Sequence, residues 1–430
     1  MAEYFKKGTK IPLTNGGTAI VGDRLGEGGQ GVVYRVTVGK EDYALKWYHK
    51  GVIATPKRFY KNLADNIAKG APTAAFLWPL FLTEQKDGSF GYIMNLRAKN
   101  YKDFADFLLA KVRFSSISAA ITACLNITNG FRELHRKGFS YQDLNDGNFF
   151  IDPQTGDVLI CDNDNVAPFG DNLGIAGKAR YMAPEVVRNQ KKPDTMTDRF
   201  SLAVILFRML FLDHPLEGKR VLVPCLTEEL ELKFYGKDPI FIYDKTDTNN
   251  APVRGVHGNV IRFWQLYPKF IRDKFTQAFT KDVMMGKQTR LSGSDWQIAF
   301  TQLRDMLITC PCGSETFFDP SEDSAICINC GVKIPRPSVL TVQKYKVVLF
   351  PGTKLYRCHT DNDSDDYKEV CGEIIRNPDK PQIWGLRNLS PASWTVTATD
   401  DTIKTVAKGD VLVIVKTKSI DFGNTIAAIN

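Results

Sequence analysis

The first part of the chain alternates between apolar and polar residues in the pattern of β-strands. Residues 18–48 alternate on both sides of a glycine-rich turn, and residues 78–83 and 90–96 do so again. Residues 115–137 instead have apolar positions at helical spacing, which predicts a long amphipathic helix. The apolar stretch 202–212 is interrupted by an arginine and is shorter than the roughly 20 residues of a membrane span, so we expect a buried helix.

The last part of the chain is predicted to be all β. A stiff segment, Ile334-Pro335-Arg336-Pro337, precedes short β runs separated by turn residues at the spacing of a sandwich. With 430 residues and 43% hydrophobic content, the chain can form two or three domains that each bury a core. The predicted strands of this part are 347–350, 354–358, 383–386, 394–398 and 411–416.

The glycine-rich turn has the spacing of a loop that binds phosphates. Gly26, Gly28, Gly31 and Val33 match G-x-G-x-x-G-x-V, in which the missing side chains let the backbone approach a nucleotide. Read alone, the motif fits a plain hairpin turn equally well. A dinucleotide-binding fold is disfavoured, because a strand follows the glycines where that fold needs a helix. The next predicted strand, 43–48, carries Lys46.

A second group of polar residues follows the long helix. Asp143 and Asn148 are separated by four residues, and Asp162 comes directly after the short apolar strand 158–160. Carboxylate and amide oxygens are suitable ligands for Mg²⁺, although residues of these types are also common in solvated turns.

The order of these motifs resembles that of the protein kinases. Further matches are Ala183-Pro184-Glu185, a helix starting at Asp198, and Arg290 in a late helix. The resemblance implies an α+β chain with a two-lobed protein kinase fold, followed by a small four-cysteine zinc knuckle or ribbon and an all-β, FHA-like sandwich. It also implies a buried ion pair between Glu185 and Arg290, and an Asp198 that braces the catalytic loop.

The same resemblance assigns roles to the motif residues. Lys46 and the loop from Gly26 to Gly31 would hold the phosphates of ATP, and Asp143 would accept the proton of the substrate hydroxyl. Asn148 and Asp162 would bind Mg²⁺. Met94 and Asn95 would lie beside the adenine, at the gatekeeper position and the hinge.

The chain departs from the family pattern at several site positions. Tyr141, Gln142 and Asn145 replace a histidine, an arginine and a lysine of the catalytic loop. Loop phosphorylation read by that arginine is therefore not expected, and the lost lysine weakens the expectation of Ser/Thr specificity. The helix after Lys46 has no glutamate, which leaves Asp65 as the nearest substitute. The alternative is that Asp65 is a plain surface residue and that Lys46 is held in another way. The triplet Asp162-Asn163-Asp164 ends without its usual glycine, so a large flip of this loop is not expected.

Four of the nine cysteines have the spacing of metal ligands. Cys310 and Cys312 form one knuckle, Cys327 and Cys330 form the other, and a glycine follows each knuckle. Four thiolates in this arrangement suit tetrahedral Zn²⁺ in a structural site. Four reduced cysteines without metal, or a redox pair, are the alternatives.

The C-terminal part resembles a forkhead-associated (FHA) domain through short motifs around Arg376 and Ser390. Such domains read phosphothreonine, so this resemblance predicts a phosphothreonine peptide held by Arg376 and Ser390. Ile375 and Ser393 depart from the family's glycine and histidine. A β-sandwich without phosphopeptide binding is the alternative.

The whole arrangement resembles bacterial Ser/Thr kinases that operate with a von Willebrand-type protein and a metal-dependent phosphatase in tellurite-resistance-associated triads. It implies a kinase N-lobe at 1–98, a C-lobe at 99–307, a zinc module at 308–334 and a sandwich at 338–430. The net charge of +8 comes without a dense basic run, so we expect no nucleic-acid partner. We also expect no membrane association and a cytoplasmic location, because no signal-type apolar core is present and the cysteines suit a reducing compartment.

Two functions from different classes remain. The leading hypothesis is an ATP-dependent Ser/Thr protein kinase of bacterial phospho-signalling that also autophosphorylates. The alternative is a pseudokinase scaffold that binds nucleotide and recruits partners through its FHA-like tail. A small-molecule kinase is less consistent with Ala183-Pro184-Glu185, a motif that accompanies peptide substrates.

Overall fold

The structure, a computed structural model, describes residues 4–168, 170–171 and 177–430. The described residues form two compact units. The first takes in the described parts of Met1–Ser115, Thr122–Phe263 and Lys274–Trp296, and the second takes in Ser116–Ile121, Trp264–Asp273 and Gln297–Asn430.

The first unit begins with an antiparallel sheet whose strand order is β1-β2-β3-β4-β6-β5. The glycine-rich turn joins β2 to β3, and Lys46 lies on β4, as predicted. The predicted strand 78–83 is shorter in the structure, where it covers Phe81–Leu82. Trp78 lies before it and donates its indole N–H to the carbonyl of Asn66 at 2.9 Å. The strands are β1 Lys10–Pro12, β2 Thr18–Glu27, β3 Gly31–Val38, β4 Glu41–Tyr48, β5 Phe81–Leu82 and β6 Gly91–Asn95.

One helix, α1 (Pro56–Lys69), lies between β4 and β5 in the chain. It starts at a proline, which lacks the amide hydrogen that the first turn of a helix cannot use, and it ends at Gly70 with φ +72°. Its buried face consists of Phe59, Asn62, Leu63 and Asn66.

The chain between residues 104 and 305 is mainly helical, and four of the helices described there have residues in both units. The long predicted helix is present as α3, and the buried apolar helix is present as α5, which begins with a capping box at Asp194. Residues 102–103 form a short strand, and α2 follows them directly. The bounds are α2 Phe104–Leu108, α3 Ile117–Arg136, α4 Pro184–Val187, α5 Thr195–Phe211, α6 Glu228–Glu231, α7 Gly258–Leu266, α8 Lys269–Ala278, α9 Lys281–Met284 and α10 Gly293–Asp305.

Short strands place the catalytic-loop motif. β9 and β10 form a hairpin, so the chain returns directly from Asn148, before β9, to Asp162, after β10. The stretch 213–265 includes α6, a π-helical turn at Leu232–Lys237 and most of α7. The short strands are β7 Lys102–Asp103, β8 Phe139–Ser140, β9 Phe149–Ile151, β10 Val158–Ile160 and β11 Ala167–Pro168.

In the second unit, each cysteine knuckle is the tip of a β-hairpin. β12 (Leu307–Thr309) pairs with β13 (Glu315–Phe317), and β14 (Ser324–Ile326) pairs with β15 (Lys333–Pro335). The glycines after the knuckles have positive φ angles, +85° at Gly313 and +71° at Gly331, which L side chains rarely adopt.

The C-terminal part consists of two antiparallel sheets around one core. One sheet has the order β17-β16-β25-β24-β21-β22, and the other has the order β18-β19-β20-β23. Their core includes Leu340, Leu386 and Trp394, which are at most 1% exposed. The predicted strand 354–358 ends early, because a helical turn, α11 (Arg357–Thr360), follows it. The strands are β16 Val339–Val342, β17 Tyr345–Val348, β18 Lys354–Tyr356, β19 Val370–Arg376, β20 Trp384–Asn388, β21 Trp394–Ala398, β22 Ile403–Val406, β23 Val411–Val413, β24 Thr417–Asp421 and β25 Ile426–Ile429.

Candidate active site

A cleft of about 860 Å³ opens in the first unit beside the glycine-rich turn. Its wall combines residues of the sheet with Gly147 of the catalytic loop and Cys161 before the second Asp. The cleft wall does not include three other predicted site residues, Gly31, Lys46 and Asn148. The predicted nucleotide-binding residues that line the cleft are Gly26, Gly28, Val33, Met94, Asn95 and Asp162.

The glycine-rich turn is held close to its own sheet. The amide of Gly28 donates to the carbonyl of Gly31 at 2.9 Å, which closes the turn. A Cβ atom at Gly31 would meet the carbonyl oxygen of Trp47 on β4, so a larger residue would push the strands apart. Gly26 and Gly28 are exposed and have open space where a side chain would be.

Lys46 connects this sheet to the loop after β10. Its ammonium donates to Asp162 Oδ1 at 3.1 Å, to Asp164 Oδ2 at 2.8 Å and to Gln30 Oε1 at 3.3 Å. Burial alone would lower the pKa of Lys46, but the nearby carboxylates of Asp164 and Asp162 outweigh burial and raise it. Lys46 is therefore a buried positive charge in contact with Asp162, which lines the cleft.

Asp164 is a site residue that the sequence reasoning did not assign. Its side chain is fully buried, and besides Lys46 it accepts hydrogen bonds from the hydroxyls of Tyr48 at 2.6 Å and Tyr92 at 3.2 Å. An ionised carboxylate is stable at such a depth only when it is paired and hydrogen-bonded. The signal was present in the sequence, because Asp164 stands where the family has glycine.

The prediction that Asp65 is the carboxylate partner of Lys46 is wrong. Asp65 is exposed, since it lies on the outer face of α1. The inner face instead presents Asn62 and Asn66, and both amides donate to the carbonyl of Val166, at 2.8 and 3.0 Å. Helix α1 therefore binds the backbone of the loop after β10, and the carboxylates that contact Lys46, those of Asp162 and Asp164, come from that loop.

Asp143 lies at the start of the catalytic loop, partly buried. Burial raises the pKa of its carboxyl, and a hydrogen bond from the Asn145 amide at 3.2 Å opposes that rise. Asn148 is 2% exposed, and its amide oxygen accepts from the backbone N–H of Asn145 at 2.7 Å. These bonds fix the loop between the two predicted functional residues.

The catalytic loop is braced by α5, as predicted. Asp198 accepts from the backbone N–H of Tyr141 at 2.8 Å and contacts Nε2 of His135 at 3.0 Å. Gln142, in the place of the family's arginine, donates to the backbone carbonyl of Asp171 at 2.6 Å. At this position a neutral side chain therefore ties the catalytic loop to a backbone carbonyl of the following segment.

Lys178 is a second residue that the sequence reasoning did not assign to the site. Its ammonium lies 3.4 Å from Oδ1 of Asp146, and its charge lowers the pKa of Asp143, against the effect of burial. Arg208 contacts the other oxygen of Asp146 at 3.2 Å. Two cations therefore contact Asp146, three residues after Asp143, although Asn145 has replaced the catalytic-loop lysine.

The family described as Protein kinase domain matches residues 20–235, which is half of the 430-residue chain. The chain belongs to the protein kinase family.

Curated relatives align with parts of this chain at low identity. The serine/threonine-protein kinase sck2 of Schizosaccharomyces pombe is 26% identical over 43% of this chain and 29% of its own length. Human cGMP-dependent protein kinase 2 is 28% identical over 45% of this chain and 26% of its own length. The probable serine/threonine-protein kinase PknB of Bifidobacterium longum is 30% identical over 22% of this chain and 14% of its own length. The chain thus spans less than a third of each of these relatives.

Behind the kinase match, the four predicted zinc ligands come together. The sulfur of Cys310 lies 3.6 Å from that of Cys330, and the sulfur of Cys312 lies 3.7 Å from that of Cys327. All four sulfurs lie within 4.8 Å of one another. Tetrahedral Zn²⁺ with Zn–S bonds of about 2.3 Å would separate its ligands by about 3.8 Å, so the four thiols fit this ion.

The structure does not bring Arg376 and Ser390 together, which contradicts the predicted phosphothreonine site. Arg376 is opposite Trp384, whereas Ser390 follows Asn388, which is opposite Gly372. The four-residue offset corresponds to about 13 Å along the strands. The Ser390 hydroxyl is also 7% exposed and bonded to Asn388 Oδ1 at 2.7 Å.

The arginine that shares a pocket with Ser390 is Arg357. Its guanidinium pairs with Asp361 at 3.3 Å and with Glu369 at 3.0 Å. The guanidinium of Arg357 is thus already paired with two carboxylates, and these carboxylates would repel a phosphate.

Among the described residues, no helix has both the length and the apolar character needed to cross a bilayer.

Proposed function

We propose that this chain is an ATP-dependent protein kinase that transfers the γ-phosphate to Ser/Thr hydroxyls of proteins and autophosphorylates. The observation that carries the proposal is the 3.1 Å contact between Lys46 and Asp162, residues 116 positions apart, of which Asp162 lines the cleft. It joins the phosphate-binding lysine to the predicted magnesium ligand, in a chain that also retains Asp143 and Asn148.

In the proposed reaction, the substrate hydroxyl oxygen forms a bond to the γ-phosphorus while the bond from that phosphorus to the ADP oxygen breaks. Asp143 accepts the hydroxyl proton, and the partial burial that raises its pKa makes it a better base than a solvated carboxylate. Lys46 and the glycine-rich turn from Gly26 to Gly31 hold the phosphates, while Val33, Met94 and Asn95 border the adenine. Catalysis then consists of positioning and charge stabilisation.

Asn148 and Asp162 are the residues that we propose to hold Mg²⁺. Both offer oxygen donors, which this hard cation prefers, and the hairpin of β9 and β10 returns the chain from one to the other. When bound, the ion neutralises charge on the phosphates.

The test is phosphate transfer by the Asp143→Asn variant, followed by mass spectrometry after incubation with ATP and Mg²⁺. We expect the variant to lose transfer while its circular dichroism remains that of the wild type. Asp157→Asn, which alters an exposed aspartate in the nearby β9–β10 turn, is the matched control and should retain activity. Undiminished transfer in pure Asp143→Asn protein would refute the proposed role, and nucleotide binding without transfer in the wild type would favour the pseudokinase scaffold.

The C-terminal part carries further proposals. We propose a structural Zn²⁺ held by Cys310, Cys312, Cys327 and Cys330, supported by sulfur separations near the tetrahedral value. The FHA-like assignment is supported by the two antiparallel sheets, without the phosphothreonine site. The four-segment division, a bacterial signalling role, the phosphatase and von Willebrand-type partners and a cytoplasmic location remain proposals that rest on the resemblance and on the reduced thiols.

A further inference from the structure

Two carboxylates from one loop contact Lys46, but they differ in their access to solvent. The side chain of Asp162 is 45% exposed and lines the cleft, whereas that of Asp164 is 0% exposed. A ligand entering the cleft can therefore reach Asp162 and cannot reach Asp164.

We propose that Asp164 is the positioning residue that holds Lys46 for the phosphates of a nucleotide, in place of an acid on helix α1. The proposal rests on the nucleotide site proposed above. In this proposal the two carboxylates have different tasks: Asp162 can exchange its contact with Lys46 for a contact with metal, while Asp164 keeps its bond to Lys46. Without Asp164, the ammonium would have Asp162 as its only carboxylate contact among the described residues and would compete with metal for it.

The surroundings of Asp164 are built to keep its carboxylate in place. The hydroxyl of Tyr48 on β4 donates to Oδ2 at 2.6 Å, and the hydroxyl of Tyr92 on β6 donates to Oδ1 at 3.2 Å. Both tyrosines are at most 1% exposed. Lys46 lies on β4, which pairs with β6, so the carboxylate of Asp164 contacts side chains from two neighbouring strands.

The loop that carries Asp164 is fixed on its other sides as well. The side-chain amide of Asn163 donates to the carbonyls of Leu77 at 2.9 Å and Ile160 at 2.8 Å. Two residues further on, the carbonyl of Val166 accepts both asparagine amides of α1. Lys46 is thus held by a fixed loop, and its position does not require a helix to bring in an acid.

The experiment compares ATP and adenosine binding by isothermal titration calorimetry, with Mg²⁺ present, in the full chain and its variants. Adenosine shares the base and ribose of ATP but has no phosphates, so it reports on the cleft without using Lys46. For Asp164→Asn we expect ATP affinity to fall about tenfold or more, the effect of a lost charge-assisted bond, while adenosine affinity stays within about twofold.

Two further variants complete the test. Tyr48→Phe removes one hydrogen bond to Asp164 and keeps the ring, so it should lower the affinity for ATP by about threefold. It keeps the test decisive even if Asp164→Asn folds poorly. Asp65→Asn, which alters the exposed helix acid, should leave both affinities unchanged.

Unchanged ATP affinity in Asp164→Asn and Tyr48→Phe would overturn the inference, and so would an equal loss of ATP and adenosine binding, which would indicate a general packing role. A wild type that binds ATP but transfers no phosphate would overturn the proposed function alone, since the binding comparison would still decide the role of Asp164. A wild type that does not bind ATP would overturn both.

Discussion

The guanidinium of Arg290 holds the carboxylate of Glu185 through two hydrogen bonds, of 2.7 and 2.8 Å. The side chains are 5% and 14% exposed, and Arg290 also donates to the carbonyls of Met284 and Met196. Although burial opposes it, the arginine lowers the pKa of Glu185. The pair predicted from the sequence is therefore present and joins Ala183-Pro184-Glu185 to the connection between α9 and α10.

Removing the charge of Glu185 should destabilise the fold. We expect Glu185→Gln to lower the free energy of unfolding by about 3 kcal/mol, because the buried Arg290 loses its counter-charge. Since the folded pKa of Glu185 lies below the unfolded value of about 4.3, its contribution is present above that pH and is lost as the pH falls through the folded pKa. Thermal unfolding measured by circular dichroism checks this.

The control is Lys269→Gln, which breaks an exposed ion pair with Asp273. It should change stability by less than about 1 kcal/mol. An equal Tm for wild type and Glu185→Gln at pH 7 would contradict the prediction.

Lys178 should support phosphate transfer. Its ammonium lies next to Asp146 and acts on Asp143, so it can provide part of the charge that the catalytic-loop lysine supplies elsewhere in the family. Because the side chain is 58% exposed, we expect Lys178→Met to lower kcat by about tenfold, less than the loss of a buried donor. Lys192→Met, an exposed lysine further along the same segment, should keep the wild-type kcat. Equal kcat values in initial-rate assays of the two variants would contradict this role.

The elements that carry motifs could be predicted from the sequence, because each motif fixes both a residue type and a local geometry. The glycine turn, the strand of Lys46 and the brace at Asp198 are examples. Strands without a clear alternation were missed. In β24, Thr417–Asp421, only Thr417 and Ile420 are buried, and Ile403 of β22 is 72% exposed. Such strands are determined by their neighbours in the sheet more than by their own pattern.

The partner of Lys46 could not be found by spacing. The expectation of Asp65 counted residues from Lys46 into a helix, whereas the actual contact, with Asp164, joins residues 118 positions apart. Only the folded sheet and loop bring these two side chains together. Likewise, the short motifs around Arg376 and Ser390 did not show that four register positions separate them in β19 and β20.

A buried ion pair in the second unit should make stability depend on pH. Nε2 of His359 lies 3.1 Å from Asp305, and both side chains are at most 1% exposed. Burial alone would lower the pKa of His359, but Asp305 outweighs it and raises the pKa to about 9. Because this lies above the unfolded value of about 6.5, the stabilisation is complete below pH 6.5 and is lost as the pH rises towards 9, with a total on the order of 3 kcal/mol.

The measurement is Tm against pH between 6 and about 9.5, below the range in which an ordinary tyrosine ionises. His359→Gln should remove the part of the decline in Tm with rising pH that this pair causes. The other titratable groups near the imidazole include Cys358 and Tyr345, so Cys358→Ser serves as the control that retains the decline. Parallel profiles of Tm against pH for wild type and His359→Gln would show that the pair does not cause the decline.

Zinc removal should unfold the module that carries the four cysteines. Cys310 and Cys327 belong to a small core with Phe318, Val348 and Phe350, so a loss of metal would expose apolar residues around the hairpins. We expect purified protein to contain about one zinc per chain by atomic emission, and Cys327→Ser to lose it together with several degrees of Tm. Cys225→Ser, which alters an exposed cysteine outside the cluster, should retain both. A zinc-free wild type that unfolds at the same temperature as the zinc-loaded protein would contradict the structural role, because the module would then be stable without the metal.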